Sequence, residues 1–129
     1  MNDQRFMLDA SAVLAFLFDE KGAARVATAI PFASISTVNL SEVVAKLYDG
    51  DVREADIVAS LADLDLEVVP FDQAMAVRAG SLRAATRVLG LALGDRACLA
   101  TAEAVGLAVL TADRAWAQLD LGLSIEILR

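Results

Sequence analysis

The segment LGDRACLATAEAVGLAVLTAD (residues 93–113) carries the clearest succession of helix and strand in the chain. Its first part predicts a helix that opens with Gly94-Asp95 and ends at Gly106, because glycine is the usual residue just past a helix C-terminus. The apolar run 107–110 that follows is short and uninterrupted, as is typical of a buried strand. Asp113 then opens a short helix that extends to about residue 119. A strand bounded by helices on both sides indicates a parallel sheet.

The same alternation extends over the rest of the chain. Further strands are predicted at 5–8, 32–35, 66–69 and 124–128. Further helices are predicted at 12–19, 23–29, 40–49, 52–63 and 72–89, and a polar turn is expected at 36–39. No linker, internal repeat or low-complexity stretch interrupts the pattern. The expected fold is a single α/β domain over residues 1–129, with a parallel sheet of about four to five strands flanked by helices.

The residue types present exclude several chemistries. The chain of 129 residues has no histidine and one cysteine. Without an imidazole there can be no Ser–His–Asp or Cys–His nucleophile pair, and zinc sites need clustered cysteine and histidine ligands. We expect Cys98 to be a small buried residue. Catalysis would therefore use carboxylates, hydroxyls, arginine or a metal ion bound by oxygen.

Composition and charge indicate where the chain is located and which partners it attracts. Apolar residues make up 57% of the sequence, but no window offers the ~18–20 consecutive apolar residues that a membrane span requires. We therefore expect a soluble, cytoplasmic domain with no membrane partner. The formal net charge of −7 disfavours long-range electrostatic attraction of nucleic acid. Bound metal ions would change that balance locally.

Four acidic residues fall at comparable places in the predicted pattern. Asp9 follows the first strand directly and Asp113 follows the 107–110 strand, whereas Glu42 and Asp95 lie in the first turns of helices. In open α/β sheets, ligands bind outside the carboxyl ends of the strands. We therefore expect the four side chains to lie at or near one edge of the sheet.

Each of these acids also has a purely structural interpretation as a helix cap. Three of them precede helical segments, and residues 39–42 match a capping-box variant in which Glu42 bonds to the backbone amide of Asn39. Asp72 is expected to be a plain cap. A favourable acid at a helix N-terminus contributes ~0.3–1 kcal/mol, whereas two carboxylates ~6 Å apart repel by roughly 3 kcal/mol at an effective dielectric constant of about 20. If the four acids converge, they must take up protons or bind cations.

A site made only of oxygen atoms favours hard divalent cations. A few carboxylates, with water in the remaining positions, suit Mg²⁺ or Mn²⁺ better than a calcium cage. Mg²⁺ held by acids is a common means of phosphodiester hydrolysis, because the ion activates water and neutralises charge on the phosphate oxygens. Hydrolysis of a phosphodiester is therefore a chemistry that these acids would support.

Four motifs occur in order on the predicted elements. They are MLDASA (7–12), NLSEV (39–43), LGDRACLATA (93–102) and LTADR (110–114). Together they resemble the PIN domain and, more narrowly, the VapC ribonuclease toxins of bacterial type II toxin–antitoxin modules. The resemblance runs from Arg5 to near the C-terminus. The DAS triplet alone is weakly diagnostic, but four motifs in this order are specific.

The resemblance implies roles for individual residues and a set of partners. Asp9, Glu42, Asp95 and Asp113 match the family's acidic quartet, which holds Mg²⁺ or Mn²⁺ for cleavage of RNA. Asp9 and Asp95 match the firmest ligands, while Glu42 and Asp113 match ligands that act directly or through water. The resemblance also implies a PIN-like (Rossmannoid) fold, a homodimer and a VapB antitoxin whose tail enters the active-site groove.

Hydroxyl and basic residues near these motifs are further candidates. Ser11 and Thr111 match hydroxyl positions beside the site, where they would orient acids or water, or act only as caps. The candidate RNA contacts are Lys46, one turn beyond Glu42, together with Arg83, Arg87 and Arg96. The alternative for each basic residue is a solvated charge or an internal salt bridge.

Two other functions compete with that of a metal-dependent endoribonuclease. A phosphoacceptor receiver domain also places acids and Mg²⁺ at a sheet edge, but it needs a lysine near a late strand, and the only lysines are Lys21 and Lys46. A non-catalytic module could use the PIN scaffold only for assembly in a toxin–antitoxin complex. Metal binding without cleavage of any RNA would favour that module.

Overall fold

The structure, a computed structural model, describes residues 4–129. Residues 1–3, which the expected domain 1–129 includes, lie outside the described residues. Five strands form one sheet: β1 (Phe6–Leu8), β2 (Ala33–Ser36), β3 (Glu67–Val69), β4 (Ala108–Thr111) and β5 (Ile125–Ile127). The order across the sheet is β3-β2-β1-β4-β5, and every neighbouring pair is parallel. The expected α/β fold with a parallel sheet is confirmed.

Seven α-helices in residues 4–129 flank this sheet. They are α1 (Ala10–Leu17), α2 (Ala23–Ala29), α3 (Thr37–Asp49), α4 (Glu54–Leu64), α5 (Gln73–Ser81), α6 (Arg83–Thr86) and α7 (Leu93–Val105). Short 3₁₀ helices cover Ile30–Phe32, Arg87–Leu89 and Arg114–Gln118. No helix in this range combines the length and apolar character that a membrane crossing requires.

Two of the sequence-based predictions about helices are wrong. The helix expected at 72–89 is divided into α5, α6 and a 3₁₀ turn. The Ser81 hydroxyl donates to the Arg78 carbonyl and the Thr86 hydroxyl to the Leu82 carbonyl, and such back-bonding bends helices. The polar turn expected at 36–39 is the start of α3, because the Ser36 hydroxyl accepts from the Val38 amide and caps the helix.

The core lies on both faces of the sheet, because successive side chains of a strand point to opposite sides. In β1, Phe6 and Leu8 pack in the cluster on one face, and Met7 packs in the cluster on the other. Val109 of β4 and Cys98 of α7 join Met7, and Cys98 has no solvent exposure. Strands buried on both faces explain the continuous apolar runs in the sequence.

The strand order places the topological switch point of the sheet between β1 and β4. From β1 the chain first moves to β2 and β3 on one side, and it later returns to β4 and β5 on the other. The crevice at such a topological switch point is where open α/β sheets bind ligands. Leu8 pairs with Leu110 in the register of β1 and β4. The residues that follow these two strands therefore meet at the same edge.

A matched pair of valine substitutions tests this core. Val109 has no solvent exposure, whereas Val88 is 97% exposed. Val109→Ala should lower the free energy of unfolding by roughly 2 kcal/mol or more, because two buried methyl groups are removed and a cavity is left. Val88→Ala should change it by less than about 0.5 kcal/mol. Urea denaturation measures both, and equal effects would contradict the assignment of Val109 to the core.

Candidate functional site

Asp9 is a buried carboxylate at the end of β1. Its side chain is held by four hydrogen bonds: the Ala12 amide and the Ser11 hydroxyl donate to Oδ1, and the Ser11 and Thr111 hydroxyls donate to Oδ2, at 2.7–3.0 Å. The residue is only 4% exposed. Burial raises the pKa of Asp9 to about 6, although these hydrogen bonds act in the opposite direction, and the charge of Asp95 raises it further. Asp9 is a helix cap, as the structural interpretation expected. Capping requires only an acceptor for nearby backbone amides, so it does not explain why the carboxylate is buried.

Ser11 and Thr111 connect the ends of β1 and β4. Their hydroxyl oxygens lie 3.3 Å apart. The Ser11 hydroxyl accepts from the Ala112 amide, and the Thr111 hydroxyl accepts from the Asp113 amide. Both hydroxyls therefore donate their proton to Asp9 and accept from the backbone beyond β4. This arrangement fixes the orientation of the Asp9 carboxylate.

Glu42 is positioned by two residues for which the sequence analysis predicted no such role. The Asn39 side-chain amide donates to Glu42 Oε1 at 2.9 Å and to the Gly94 carbonyl at 3.0 Å. Asn39 is 1% exposed and lies inside α3. The Glu42 carboxylate packs directly on Gly94, where a Cβ atom would overlap it. The predicted bond from Glu42 to the Asn39 backbone is wrong, because α3 begins two residues before Asn39.

Asp95 and Asp113 occupy the two helix starts beside Asp9. Asp95 lies in the first turn of α7, where its Oδ2 accepts from the Ala92 amide at 3.0 Å. Ala92 is the N-cap of α7, so the prediction that Asp95 itself is the cap is wrong. Asp113 is an exposed cap whose Oδ1 accepts from the Ala115 amide. Burial raises the pKa of Asp95, and the nearby charge of Asp113 raises it as well.

The charges of the four acids act on neighbouring groups at this edge, but their side chains do not meet at one point. The pKa of Asp9 responds to the charge of Asp95, and that of Asp95 responds to Asp113. The pKa of the buried Cys98 thiol is raised mainly by burial, with added contributions from Asp9, Asp95 and Glu42. Within residues 4–129, however, no three acidic or cysteine side chains stand close enough to hold one ion together. The acids therefore lie at the same edge of the sheet and influence one another's charge, but they do not form a preformed metal site with three or more protein ligands.

The donor set fits a divalent cation that keeps much of its water. Mg²⁺ is usually bound through one or two carboxylates, with water in the other positions. Asp9 is a buried carboxylate whose charge is disfavoured by burial, and a cation beside it would offset that cost. Asp95 is the acid whose charge acts on it. These two residues are the best candidates for direct ligands, with Glu42 and Asp113 further out.

The four candidate basic residues differ in accessibility. Lys46 lies on the exposed face of α3, and Arg83 and Arg87 are exposed beyond α5. Arg96 is only 9% exposed, and its Nη1 donates to the Ala79 carbonyl at 3.0 Å. Its charge lowers the pKa of Asp95, against the larger effect of burial. Arg96 is therefore largely buried beside the acids, whereas the other three basic residues are exposed.

Asn39 and Gly94 are the functional candidates that sequence reasoning missed. Residues three apart face the same way on a helix, so the Asn39–Glu42 spacing was a usable signal for their side-chain contact. The contact of Asn39 with Gly94 spans 55 residues of chain, and nothing in the local sequence indicates it.

Comparison with protein families supports the resemblance seen in the motifs. The family model of the PIN domain matches residues 6–121 of the chain. A comparison with curated proteins found no match.

Several solved structures are similar over nearly the whole chain. One is a toxin–antitoxin complex from Klebsiella pneumoniae, with TM-score 0.73, 19% identity and coverage of 96% of this chain and 98% of that one. Another is DNA-bound VapBC from Salmonella typhimurium, with TM-score 0.67, 24% identity and coverage of 98% and 99%. A third is VapBC-5 from Mycobacterium tuberculosis, with TM-score 0.63, 26% identity and coverage of 97% and 98%. The first two structures are less than 25% identical to this chain and therefore support only the assignment of the fold.

Two glycine-to-alanine substitutions test the packing of Glu42. Gly94→Ala should displace the Glu42 carboxylate from the Asn39 amide and lower the free energy of unfolding by about 1 kcal/mol, the typical worth of a hydrogen bond. Gly80 lies in α5, and no atom comes within 4 Å of the position that a Cβ would take there. Gly80→Ala should therefore raise the free energy by about 0.5–1 kcal/mol. Urea denaturation gives both values, and a gain at both sites would contradict the described packing.

The raised pKa of Asp9 predicts a pH-dependent stability of the metal-free protein. Since the folded state binds the Asp9 proton more tightly than the unfolded state, this group's contribution is most favourable below about pH 4 and is lost as pH rises through about 6. The full loss is about 3 kcal/mol. Asp9→Asn should therefore flatten the fall in unfolding free energy between these pH values, measured in chelator.

Asp72→Asn is the matched control for this measurement, because Asp72 is an exposed cap of α5 and asparagine caps as well as aspartate. Its pH profile should run parallel to that of the unmodified protein. If Asp9→Asn does the same, the burial of the Asp9 charge has no energetic consequence.

Proposed function

The chain belongs to the PIN domain family, and we propose that it is a Mg²⁺-dependent endoribonuclease, the toxin of a VapBC-type toxin–antitoxin module. Mn²⁺ is the expected substitute for Mg²⁺. The proposal of RNA as substrate follows the resemblance of the four motifs to VapC ribonucleases. The proposal of nuclease chemistry rests in addition on the acids at the sheet edge.

The observation that carries the proposal is the buried carboxylate of Asp9 beside a second acid. Burying a carboxylate without a cationic partner is costly, and within residues 4–129 Asp9 makes no ion pair. Its hydrogen bonds hold it in place but do not neutralise it. A divalent cation bound beside Asp9 would supply the missing charge, and this need supports the proposal of a metal site here.

The residues of the chain have distinct parts in this proposal. Asp9 and Asp95 would hold the ion, and Glu42 and Asp113, which stand further out, would act on it through bound water. When bound, such an ion lowers the pKa of water and offsets charge on the phosphate. Ser11 and Thr111 keep the Asp9 carboxylate in one orientation through their hydroxyl protons. Asn39 and Gly94 keep Glu42 turned toward the same edge.

The reaction needs no nucleophile from the protein, in keeping with the absence of histidine. Water would attack the phosphodiester and the RNA strand would be cut. By analogy with the family, the products carry a 5′-phosphate and a 3′-hydroxyl. The spread of the four acids suits an ion bound by few carboxylates and several waters, since a hydrated ion leaves room for phosphate oxygens.

The proposed partners are inferred from the complexes in which similar folds occur. Complexes of toxin with antitoxin recur among the solved structures that resemble this chain. We therefore propose a VapB-type antitoxin that covers the acidic edge, and a homodimer of this chain. Lys46 is proposed as an RNA contact, because it is exposed one turn beyond Glu42 on α3.

Charge-neutral substitutions at the acidic edge test the proposed activity. Asp9→Asn and Asp95→Asn keep the side-chain shape and remove a candidate ligand charge. Each should lower the rate of metal-dependent RNA cleavage at least about a hundredfold, since a catalytic metal provides several kcal/mol of charge stabilisation. Cleavage of labelled RNA by purified protein is measured with Mg²⁺, with chelator, and after Mn²⁺ is added back.

Asp63→Asn is the control, because Asp63 is exposed at the end of α4, before β3 and away from the carboxyl edge. It should cleave like the unmodified protein. Undiminished cleavage by Asp9→Asn would refute the assignment of the site. Metal binding without cleavage of any RNA would instead support the non-catalytic binding module.

A further inference from the structure

A cavity of about 330 Å³ beside the acidic edge is lined by three arginines and by no acidic residue among those described. Arg83 and Arg87 line it from α6 and the 3₁₀ turn after it, and Arg96 lines it from the first turns of α7. The segment 90–93 completes the wall. We propose that this cavity is a phosphate-binding site that holds a backbone phosphate of single-stranded RNA next to the one being cut. The inference rests on the proposed nuclease function.

The pairing of the other arginines makes this cluster informative. Of the six other arginines, five form ion pairs with Asp or Glu, namely Arg5, Arg25, Arg53, Arg78 and Arg129. The sixth, Arg114, donates to the Arg129 carbonyl. In a chain with eighteen acidic residues, acidic partners are abundant. Within residues 4–129, none of the three arginines at the cavity forms an ion pair. Gathering three like charges without a direct ion pair is unfavourable, so the cluster is expected to attract an anion.

Arg96 shows that the cavity is more than a set of exposed charges. Of its three guanidinium nitrogens, only Nη1 is bonded to a described residue, the Ala79 carbonyl. Nε is buried and has no partner among residues 4–129. Arg96 as a whole is 9% exposed, and the bond from Nη1 restrains its guanidinium and the orientation of the remaining donors. Fixed arginine donors suit phosphate oxygens, which accept two parallel hydrogen bonds.

The location of the cavity favours RNA over a free anion. Arg96 is the next residue after Asp95, so a strand that runs from the acids toward α6 would meet Arg96 first. Arg83 and Arg87 lie one helical turn apart in sequence and add two exposed positive charges to the same wall. This succession would suit an RNA strand, with the acidic edge at the scissile phosphate and the arginines at a neighbouring one.

The test measures RNA binding separately from cleavage. A short fluorescein-labelled single-stranded oligoribonucleotide is titrated in chelator, where no metal-dependent cleavage occurs, at several salt concentrations. The double variant Arg83→Gln/Arg87→Gln should bind more weakly, and the slope of log affinity against log salt should fall by about 0.7 for each phosphate that the variant no longer neutralises. Both residues are exposed, so the variant is expected to fold.

Two controls isolate the effect of the phosphate charge. Arg53→Gln removes one arginine charge at the start of α4, outside the cavity lining, and should leave the slope unchanged. An oligomer with neutral methylphosphonate linkages should bind the unmodified protein and the double variant equally, because it carries no backbone charge.

The outcomes separate this inference from the proposed function. If the unmodified protein cleaves RNA but the double variant keeps its salt slope, the phosphate site is overturned and the nuclease stands. If the unmodified protein binds no oligoribonucleotide, the site is overturned as well. If the double variant no longer binds a poly-glutamate peptide while its RNA slope is unchanged, the cavity takes protein carboxylates. A protein that shows the predicted slope change but cleaves no RNA would retain the site and lose the nuclease.

Discussion

The burial of the Asp9 carboxylate at the end of the central strand is the constraint on which this structure depends. A charge in that position is disfavoured by burial, and two hydroxyls and a backbone amide hold it there nonetheless. The hydroxyls come from both sides of the switch point between β1 and β4, so the same hydrogen bonds that fix the carboxylate also join the ends of the two strands. These hydrogen bonds only partly offset the cost of burying the charge, since the pKa of Asp9 stays raised. The presence of this carboxylate is explained if the protein binds a cation at this edge.

The topology of the sheet brings the remaining acids to the same edge from distant parts of the chain. Asp113 follows β4, the neighbour of β1, and Asp95 lies at the start of α7, which packs beside both strands. Glu42 arrives from α3, and Asn39 fixes it to the α7 N-terminus by bonding to Gly94. The small size of Gly94 permits that approach. The site is therefore built by contacts between elements, and the edge is acidic because four separate segments deliver one carboxylate each.

Much of the fold was predictable from local sequence signals. Strands buried on both faces appear as short apolar runs, and the run at 107–110 predicted β4 within one residue. Asp72 and Asp113 cap helices as expected, because capping depends only on nearby backbone amides. The break after Ser81 was missed, since hydroxyl back-bonding competes with a helical pattern that looks continuous.

The candidate site was only partly predictable, for a related reason. The positions of the acids at strand and helix ends could be inferred from the sequence, but the hydrogen bond between Asn39 and Gly94 depends on how α3 and α7 meet. The same holds for the burial of Arg96 and its hydrogen bond to the Ala79 carbonyl, which depend on how α5 and α7 pack together. That Arg83 and Arg87 form no ion pair with a described residue could not be inferred either, because acidic residues are plentiful in the sequence.

The main conclusion to be tested is that Asp9 and Asp95 bind a divalent ion at the sheet edge where the four acidic segments meet. Anomalous diffraction from crystals grown with Mn²⁺ tests it most directly, because the metal is located without reference to any assay. The account predicts an anomalous peak within bonding distance of the Asp9 and Asp95 carboxylates, absent from crystals of Asp9→Asn grown in the same way. Well-ordered crystals at saturating Mn²⁺ with no peak at this edge, or with a peak only elsewhere on the molecule, would contradict it.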